Sequence, residues 1–481
     1  MPWLYISIGL AVALISLITV VIIRTLLFIA PSVEVTEESR IEVNREKAIS
    51  DLAEMIKCKT VSYVDKRLED EAEFDKFKNL LRELFPTIYS ACEFTEVGPR
   101  ALLYKYKGES DERPTVLMAH FDVVAAEETK WDKPPFDAVC EDGVLWGRGT
   151  LDTKATLNGA MQALESLIKE GFVPKNDIYL AFAGDEEISG YGARSIVDIF
   201  AEQGIIPGAV YDEGGAIVSN VFPNVKDSCA LVGIAEKGLL NVRFLYEGRG
   251  GHASTPNPHT PIGKLSAACV RIEKRPFRFR ICDATREMLN NIARRSSFLY
   301  RMIFANLWLF SPLLDIITRK KGGELNALVR TTCAFTKMQG SDQINVIPPK
   351  AFMAANLRIL PGETVDKTME TLRKRIADED ITIENVVYNE PSVISEVGSE
   401  GWNRIVSAIK STWGNAIVSP YLMFACSDSR HWGRISNQVY RFSAMELTDE
   451  ERKSIHGNNE RITLDAIIKT VEFYKRLIES C

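Results

Sequence analysis

Five side chains in this sequence carry the donor atoms of a two-metal centre: His120, Asp152, Glu187, Glu213 and His456. They stand in the short motifs MAHFD, GRGTLDTK, AGDEEISG, YDEGG and IHGNNE. The chain has only 5 histidines, so their placement is selective, and His120 and His456 both fall in these motifs. Imidazole with carboxylate is the ligand mix that zinc accepts. Two ions close together need a shared carboxylate, and Asp152 is the candidate bridge. His120 then serves one ion and His456 the other, with Glu187 and Glu213 completing the two shells. Asp122, two residues after His120, is placed to accept the second imidazole N–H and fix the ring tautomer. Glu186 neighbours a ligand without needing to be one. A carboxylate there can take a proton from water and return it to a leaving amine. Paired metals favour that chemistry by lowering the pKa of water from ~15.7 towards ~7.

No single motif can assemble such a centre, so the fold must gather them. Thr115–Ala119 is a short apolar run, and His120 follows it directly. Ile178–Ala183 is a second run, followed by Asp185, Glu186 and Glu187. Gly208–Tyr211 is a third, with Asp212 and Glu213 next. Continuous apolar runs of this length predict strands buried on both faces of a parallel sheet. Between them, Leu157, Met161, Leu164 and Ile168 mark one face of a helix over 156–169, and Gly171 stops it. Alternating strands and helices define an α/β fold. Its ligands collect beyond the carboxyl ends of the strands, where three of the motifs stand.

Each motif taken alone has an ordinary reading. A His-x-Asp is usually a surface or core pair, adjacent glutamates are usually solvated, and GRGTLDTK could be a turn opening a helix. Their joint occurrence at strand ends carries the metal reading. His259 lies between prolines and reads as a loop residue, and His431 beside Trp432 reads as packing.

The motifs resemble those of the co-catalytic di-zinc metallopeptidases that include aminoacylase-1, glutamate carboxypeptidase, carboxypeptidase S and the N-fatty-acyl-amino-acid hydrolases. The likeness runs from roughly residue 45 to the end, with the motifs in the family's order. KWDKPPFDA, LWGRGTLDTK, DEGG, NALVRTT and NLRILPGET bring it nearest to the carboxypeptidase S and fatty-acyl branch. The resemblance implies metal ligands at His120, Asp152, Glu187, Glu213 and His456, and catalytic roles at Asp122 and Glu186. It favours Glu213 over its neighbour Asp212. It implies two Zn2+ ions per chain, for which Co2+ or Mn2+ could substitute. In GRGGHASTP, His252 is implied to steady the oxygen of the tetrahedral intermediate, in some relatives across a dimer. Asn345 and Arg358 are implied to hold a substrate carboxylate, which suits the planar fork of arginine. Arg430, with Ser427 and Asp428 in CSDSRHW, is implied to contact substrate, although relatives more often carry Gly and Thr near Ala425, Cys426 and Ser427. The implied activity is hydrolysis of an amide bond beside a free carboxylate, in a peptide or in an N-acyl (fatty-acyl) amino acid. A catalytically inactive, membrane-tethered binding protein is the rival class. The presence of every implied ligand and of the base argues against it.

The 481-residue chain is long enough for two or more domains, and its net charge of −7 without a basic patch argues against nucleic acid. The 9 cysteines include no CxxC pair and read as free thiols. Leu4–Ile23 is uncharged and almost wholly apolar, long enough for a single-pass membrane anchor. No Lys or Arg precedes it, unlike a typical signal peptide. The basic residues that follow point to a cytoplasmic catalytic domain, while the resemblance implies a lumenal or extracytoplasmic one. The expected plan is an anchor at 1–30, a linker at 31–45, a catalytic domain at 46–236 and 391–481, and an inserted α+β, ferredoxin-like lid at 237–390. The resemblance implies that the lid also serves a homodimer. Within it, FLYRMIFANLWLFSPLLDII is apolar on several helical faces. It reads as lid or dimer packing, or as a wall for an acyl chain or a membrane contact.

Overall fold

The expected apolar runs form the centre of an eight-stranded sheet in the computed structural model, which describes residues 2–30, 41–219, 225 and 227–481. Residues 31–40 of the expected linker lie outside them. The strands are β1 (Glu93–Val97), β2 (Ala101–Tyr106), β3 (Ser110–His120), β4 (Asn176–Ala183), β5 (Ala209–Val218), β6 (Cys229–Glu236), β7 (Ile417–Met423) and β8 (Val439–Glu446). Their order is β1-β2-β4-β3-β5-β8-β6-β7. The inner strands β4, β3, β5 and β8 pair in parallel, and β1, β2 and β6 join antiparallel. The α/β class and the parallel central sheet match the sequence pattern.

The register sets up the site. His120, the last residue of β3, stands level with Ala183, the last residue of β4, so Glu186 and Glu187 follow close by. The third expectation needs correction. Asp212 and Glu213 do not follow a strand; they lie inside β5, which runs on to Val218. There Asp212 pairs with Arg441 but Gly215 with Phe442, and this break in register frees the intervening residues from regular alternation.

The Lys154–Lys169 helix is buried along almost its whole length, against the helix Leu464–Glu479. Gly159 permits that approach, because a Cβ there would come within 2.6 Å of Thr470 Cγ2. A second small sheet joins Val139–Glu141, Val144–Trp146 and Arg461–Thr463. It draws the segment leading to Asp152 towards the one that follows His456.

The chain divides into two compact units. The one just described comprises 31–234, 395–421 and 427–481; the other comprises 1–30, 235–394 and 422–426. The second unit has a four-stranded antiparallel sheet in the order Thr332–Gln339, Lys350–Ile359, Gly238–Glu247, Ile381–Asn389. Counted along the chain, that order is second, third, first, fourth. With the helices Pro261–Glu273 and Val365–Ile376 it makes a β-α-β-β-α-β arrangement. Burial alternates along Lys350–Ile359, and its inward residues Met353, Ala355 and Leu357 meet Leu265 and Leu372 in one core.

This unit also holds the N-terminal helix α1 (Pro2–Leu27) and the helices α2 (Phe298–Ala305) and α3 (Leu307–Lys321). α1 is long and apolar enough to cross a bilayer, as a membrane span or a signal sequence is. The apolar stretch read as one segment is two helices, meeting at Asn306 with a bend of 108°.

Candidate metal centre

Of the five expected ligands, His120 ends a strand, Glu187 lies in the short turn after β4, Glu213 lies at the irregularity inside β5, Asp152 lies in the turn before the Lys154–Lys169 helix, and His456 lies in a turn at positive φ (58°). Asp152 faces both histidines. Its Oδ1 lies 2.9 Å from His120 Nε2, and its Oδ2 lies 2.8 Å from His456 Nε2. Glu213 Oε1 stands 3.3 Å from His120 Nε2, and Glu187 Oε2 stands 3.0 Å from His456 Nε2. Two groups of three result, His120–Asp152–Glu213 and Asp152–Glu187–His456, each with donor atoms within 4.8 Å of one another. Asp152 belongs to both. Asp212 turns away, accepting the backbone N–H of Ser429 at 2.9 Å.

The neighbours fix these side chains. His120 Nδ1 lies 2.9 Å from the backbone carbonyl of Asp122 and 3.3 Å from its carboxylate. The carbonyl is thus the nearer partner, and the Asp122 carboxylate has a larger task. It accepts the backbone N–H groups of Glu186 and Glu187, both at 3.1 Å, and the hydroxyl of Ser62 at 2.6 Å. That fixes the short turn carrying both glutamates. Asp185, the first residue of the acidic triplet, instead accepts the N–H groups of Tyr191 and Gly192.

Sequence reasoning missed Glu460. It is fully buried, pairs with Arg148 at 2.6 Å, and accepts N–H groups from Gly149 at 3.1 Å and Leu151 at 2.7 Å. Arg148 also donates to the carbonyl of Gly457 at 2.5 Å. One buried ion pair therefore binds the loop of Asp152 to the loop of His456. The only sequence signal is a carboxylate four residues after a histidine and directly before a strand. Lys154 was missed too. It is buried and donates to the carbonyls of Met55 and Cys58, and burial pulls its pKa down to about 8.

The electrostatics favour cations. Burial pushes Glu213 up to about 8 and Asp428 up to about 7. Glu186 is held well above the usual carboxylate range, first by burial and then by Asp428. Glu187 is raised by burial as well. Hydrogen bonds to Asp152 and Glu187 lift His456 to about 10. For His120 burial works downward, but Glu213, Asp122 and Asp152 outweigh it and raise the imidazole well above its ordinary value. A buried surplus of carboxylates beside two imidazoles is costly unless cations balance it. The donor types, their grouping and this acidic surplus fit two divalent ions of the zinc class.

Arg430 lies beside the acid pair. Its Nη1 is 3.8 Å from Glu186 Oε1 and donates to the carbonyl of Ser427 at 3.0 Å, and its Nη2 is 3.6 Å from Asp428 Oδ1. The other three expected substrate residues belong to the second unit. His252 is exposed on the strand Gly251–His252, opposite Val346, with its Nδ1 2.7 Å from Ser254 Oγ. Asn345 is next to it, its carbonyl accepting the N–H of Ala253 at 3.0 Å. Arg358 lies on the central strand pair, with Nη1 3.2 Å from Cys426 Sγ. All 9 cysteines are free thiols.

Sequence and fold comparisons agree with this geometry. Residues 116–480 match the model of peptidase family M20/M25/M40. The N-fatty-acyl-amino acid synthase/hydrolase PM20D1 of Xenopus tropicalis is 34% identical over 445 residues, 91% of this chain and 86% of that protein. The probable carboxypeptidase S-like 2 of Dictyostelium discoideum is 31% identical over 481 residues, 97% of this chain and 92% of that protein. Among solved structures, the M20 family metallo-carboxypeptidase Sso-CP2 of Sulfolobus solfataricus superposes with a TM-score of 0.64, covering 90% of this chain and 98% of that one at 16% identity. The chain is a metallopeptidase-type hydrolase and belongs to the M20/M25/M40 peptidase family. Within that family its relatives include carboxypeptidase S-like proteins and N-fatty-acyl-amino-acid synthase/hydrolases.

Proposed function

We propose that this protein is a membrane-anchored di-zinc hydrolase that cleaves an amide bond beside a free carboxylate, as a carboxypeptidase S does. The observation that carries the reading is Asp152, whose two oxygens face His120 and His456 separately. Two Zn2+ ions held by His120, Asp152, Glu187, Glu213 and His456 supply Lewis acidity and a more acidic water when bound. Glu213 is preferred to Asp212 because its carboxylate faces His120.

Glu186 is assigned as general base and then general acid. Its raised affinity for a proton suits a group that must take one and give it up to the leaving amine. Asp122 keeps Glu186 and Glu187 in place through their backbone. Arg430, with Nη1 3.8 Å from Glu186 Oε1, is assigned a contact with the substrate. His252 is assigned an N–H to the carbonyl oxygen as charge grows there. Asn345 and Arg358 are assigned the substrate carboxylate. Residues 237–390 of the second unit are assigned as a lid that also supports a homodimer, and 46–236 with 391–481 as the catalytic domain. α1 is assigned as a single-span anchor rather than a cleaved signal, on its length and its apolar character.

Hydrolysis of N-fatty-acyl amino acids is the second reading, favoured by the 34% identity to such an enzyme over most of the chain. One purified sample offered blocked dipeptides and long-chain N-acyl amino acids separates the two. Faster turnover of the dipeptides supports the first reading. Turnover confined to the acyl substrates replaces it with the second.

A further inference from the structure

The bent pair α2–α3 takes no part in the chemistry above, yet it is firmly seated. Asn306, at the bend, is fully buried and donates to the carbonyl of Val21 at 3.2 Å and to Thr25 Oγ1 at 3.3 Å. Arg24 donates to the carbonyl of Ala305 from Nε at 3.1 Å and from Nη2 at 3.0 Å. Arg294 stacks over Phe28, 4.8 Å from the ring centre. Leu17, Val21 and Thr25 therefore form the covered stripe of α1, continued by Phe28 just past its end, while residues 3–16 are exposed all round. The bend grips only the C-terminal part of that helix.

The outer face of the pair has the opposite character. Trp308, Leu309, Pro312, Leu313 and Ile316 are exposed and fall on one side of α3, with Trp308 at 56% and Ile316 at 52%. Leu299 on α2 is 59% exposed. The stripe ends in exposed Arg319, Lys320 and Lys321. An apolar helical stripe with a tryptophan at one end and cations at the other is how a helix lies in a membrane interface.

We propose that α2–α3 is an interfacial hairpin that enters the lipid leaflet beside the C-terminal end of α1, so that the second unit is held on the bilayer at two points. The occupant of the apolar face is lipid, for two reasons. The uncharged run Leu4–Ile23 covers the ~30 Å of a hydrocarbon core, so Val21–Thr25 and the bend seated on them lie where α1 leaves it. The basic turn at Arg319–Lys321 suits anionic headgroups. The inference rests on the reading of α1 as a span.

The test uses the full chain in phosphatidylcholine–phosphatidylserine vesicles with brominated acyl chains, which quench tryptophan on contact. Subtracting the spectrum of Trp308→Phe from wild type isolates Trp308. Trp3→Phe isolates Trp3, at the far end of α1, in the same way. We expect both signals to lose about half their intensity, and Leu313→Asp with Ile316→Asp to abolish the loss at Trp308 alone. Quenching at Trp3 without quenching at Trp308 overturns the hairpin and leaves the anchor standing. Quenching at Trp308 alone overturns the span and, with it, the two-point attachment proposed here. Quenching at neither overturns both. An unquenched Trp308 in a dimer that Ile316→Asp splits gives the face to a second copy and also overturns the proposal.

Discussion

The metal centre and the His252 ribbon carry the two halves of the expected chemistry, and they are built differently. Around Asp152, side chains rest on other buried groups: the Asp122 carboxylate on two backbone N–H groups and Ser62, and the Asp152 loop on Glu460 and Arg148. His252, on a ribbon of two residues per strand, and Asn345 just before it are exposed, and among the described residues the His252 ring hydrogen-bonds only to Ser254. Groups that hold cations and move protons gain from fixed geometry, because misplacement by about 1 Å costs rate. Groups that meet a substrate from a small exposed ribbon are free to adjust. On the proposed roles, the contrast is between a rigid reacting centre and an adaptable gripping surface.

Substitution tests that division, beginning with the greatest loss. Asp152→Ala should take hydrolysis to background and lower bound metal at both groups together, read by metal analysis of the purified protein. Loss of only one ion would remove Asp152 as the shared ligand. Glu186→Gln should slow turnover by about 10²- to 10⁴-fold with metal content unchanged. Full activity in that variant would sink its role as base. His252→Ala should cost about 10²- to 10³-fold in kcat, with metal content and Tm at wild-type values. A fall in Tm would show that the ribbon is structural and break the contrast with the centre.

Two smaller effects sharpen it. Glu460→Gln should weaken metal affinity by about 10- to 100-fold, the range for partners that orient ligands without binding metal. Unchanged affinity in a chelator titration would confine Glu460 to loop stability. Lys237 gives a pH test away from the centre. It is buried, donates to the carbonyls of Ala327 and Arg330, and has its pKa lowered to about 7 by burial and then by Arg358. The unfolded value is ~10.4, so between the two the unfolded chain holds more protons and stability rises with pH. The Tm of wild type should therefore gain on that of Lys237→Met as pH increases from 7 to 10. A constant difference would mean that Lys237 stays charged.

The legible parts of the fold were those with a local cause. His120 and Glu187 could be placed because apolar runs ended just before them, and the amphipathic pattern at 156–169 became a helix. Asp212 and Glu213 were misplaced because the break inside β5 depends on pairing with β8, which lies more than two hundred residues further on. Glu460 escaped notice because a buried carboxylate and a turn carboxylate look alike until Arg148 is known to face it. The bend at Asn306 was hidden for a related reason. Pro312, the residue that suggests a break, sits inside an unbroken α3, and the turn forms where Asn306 bonds to α1 instead.

The Arg148–Glu460 pair joins positions 312 residues apart. Everything between them, including residues 235–394 and 422–426 of the second unit, must be synthesised before the pair can close. Contacts of such long range bear a loop-closure penalty and form slowly. The metal centre is thus a late event in the life of each new chain. Until the closing segment arrives, the nascent chain carries His120, Asp152, Glu187 and Glu213 but lacks His456, so on the proposed assignment it stays inactive while it is being made.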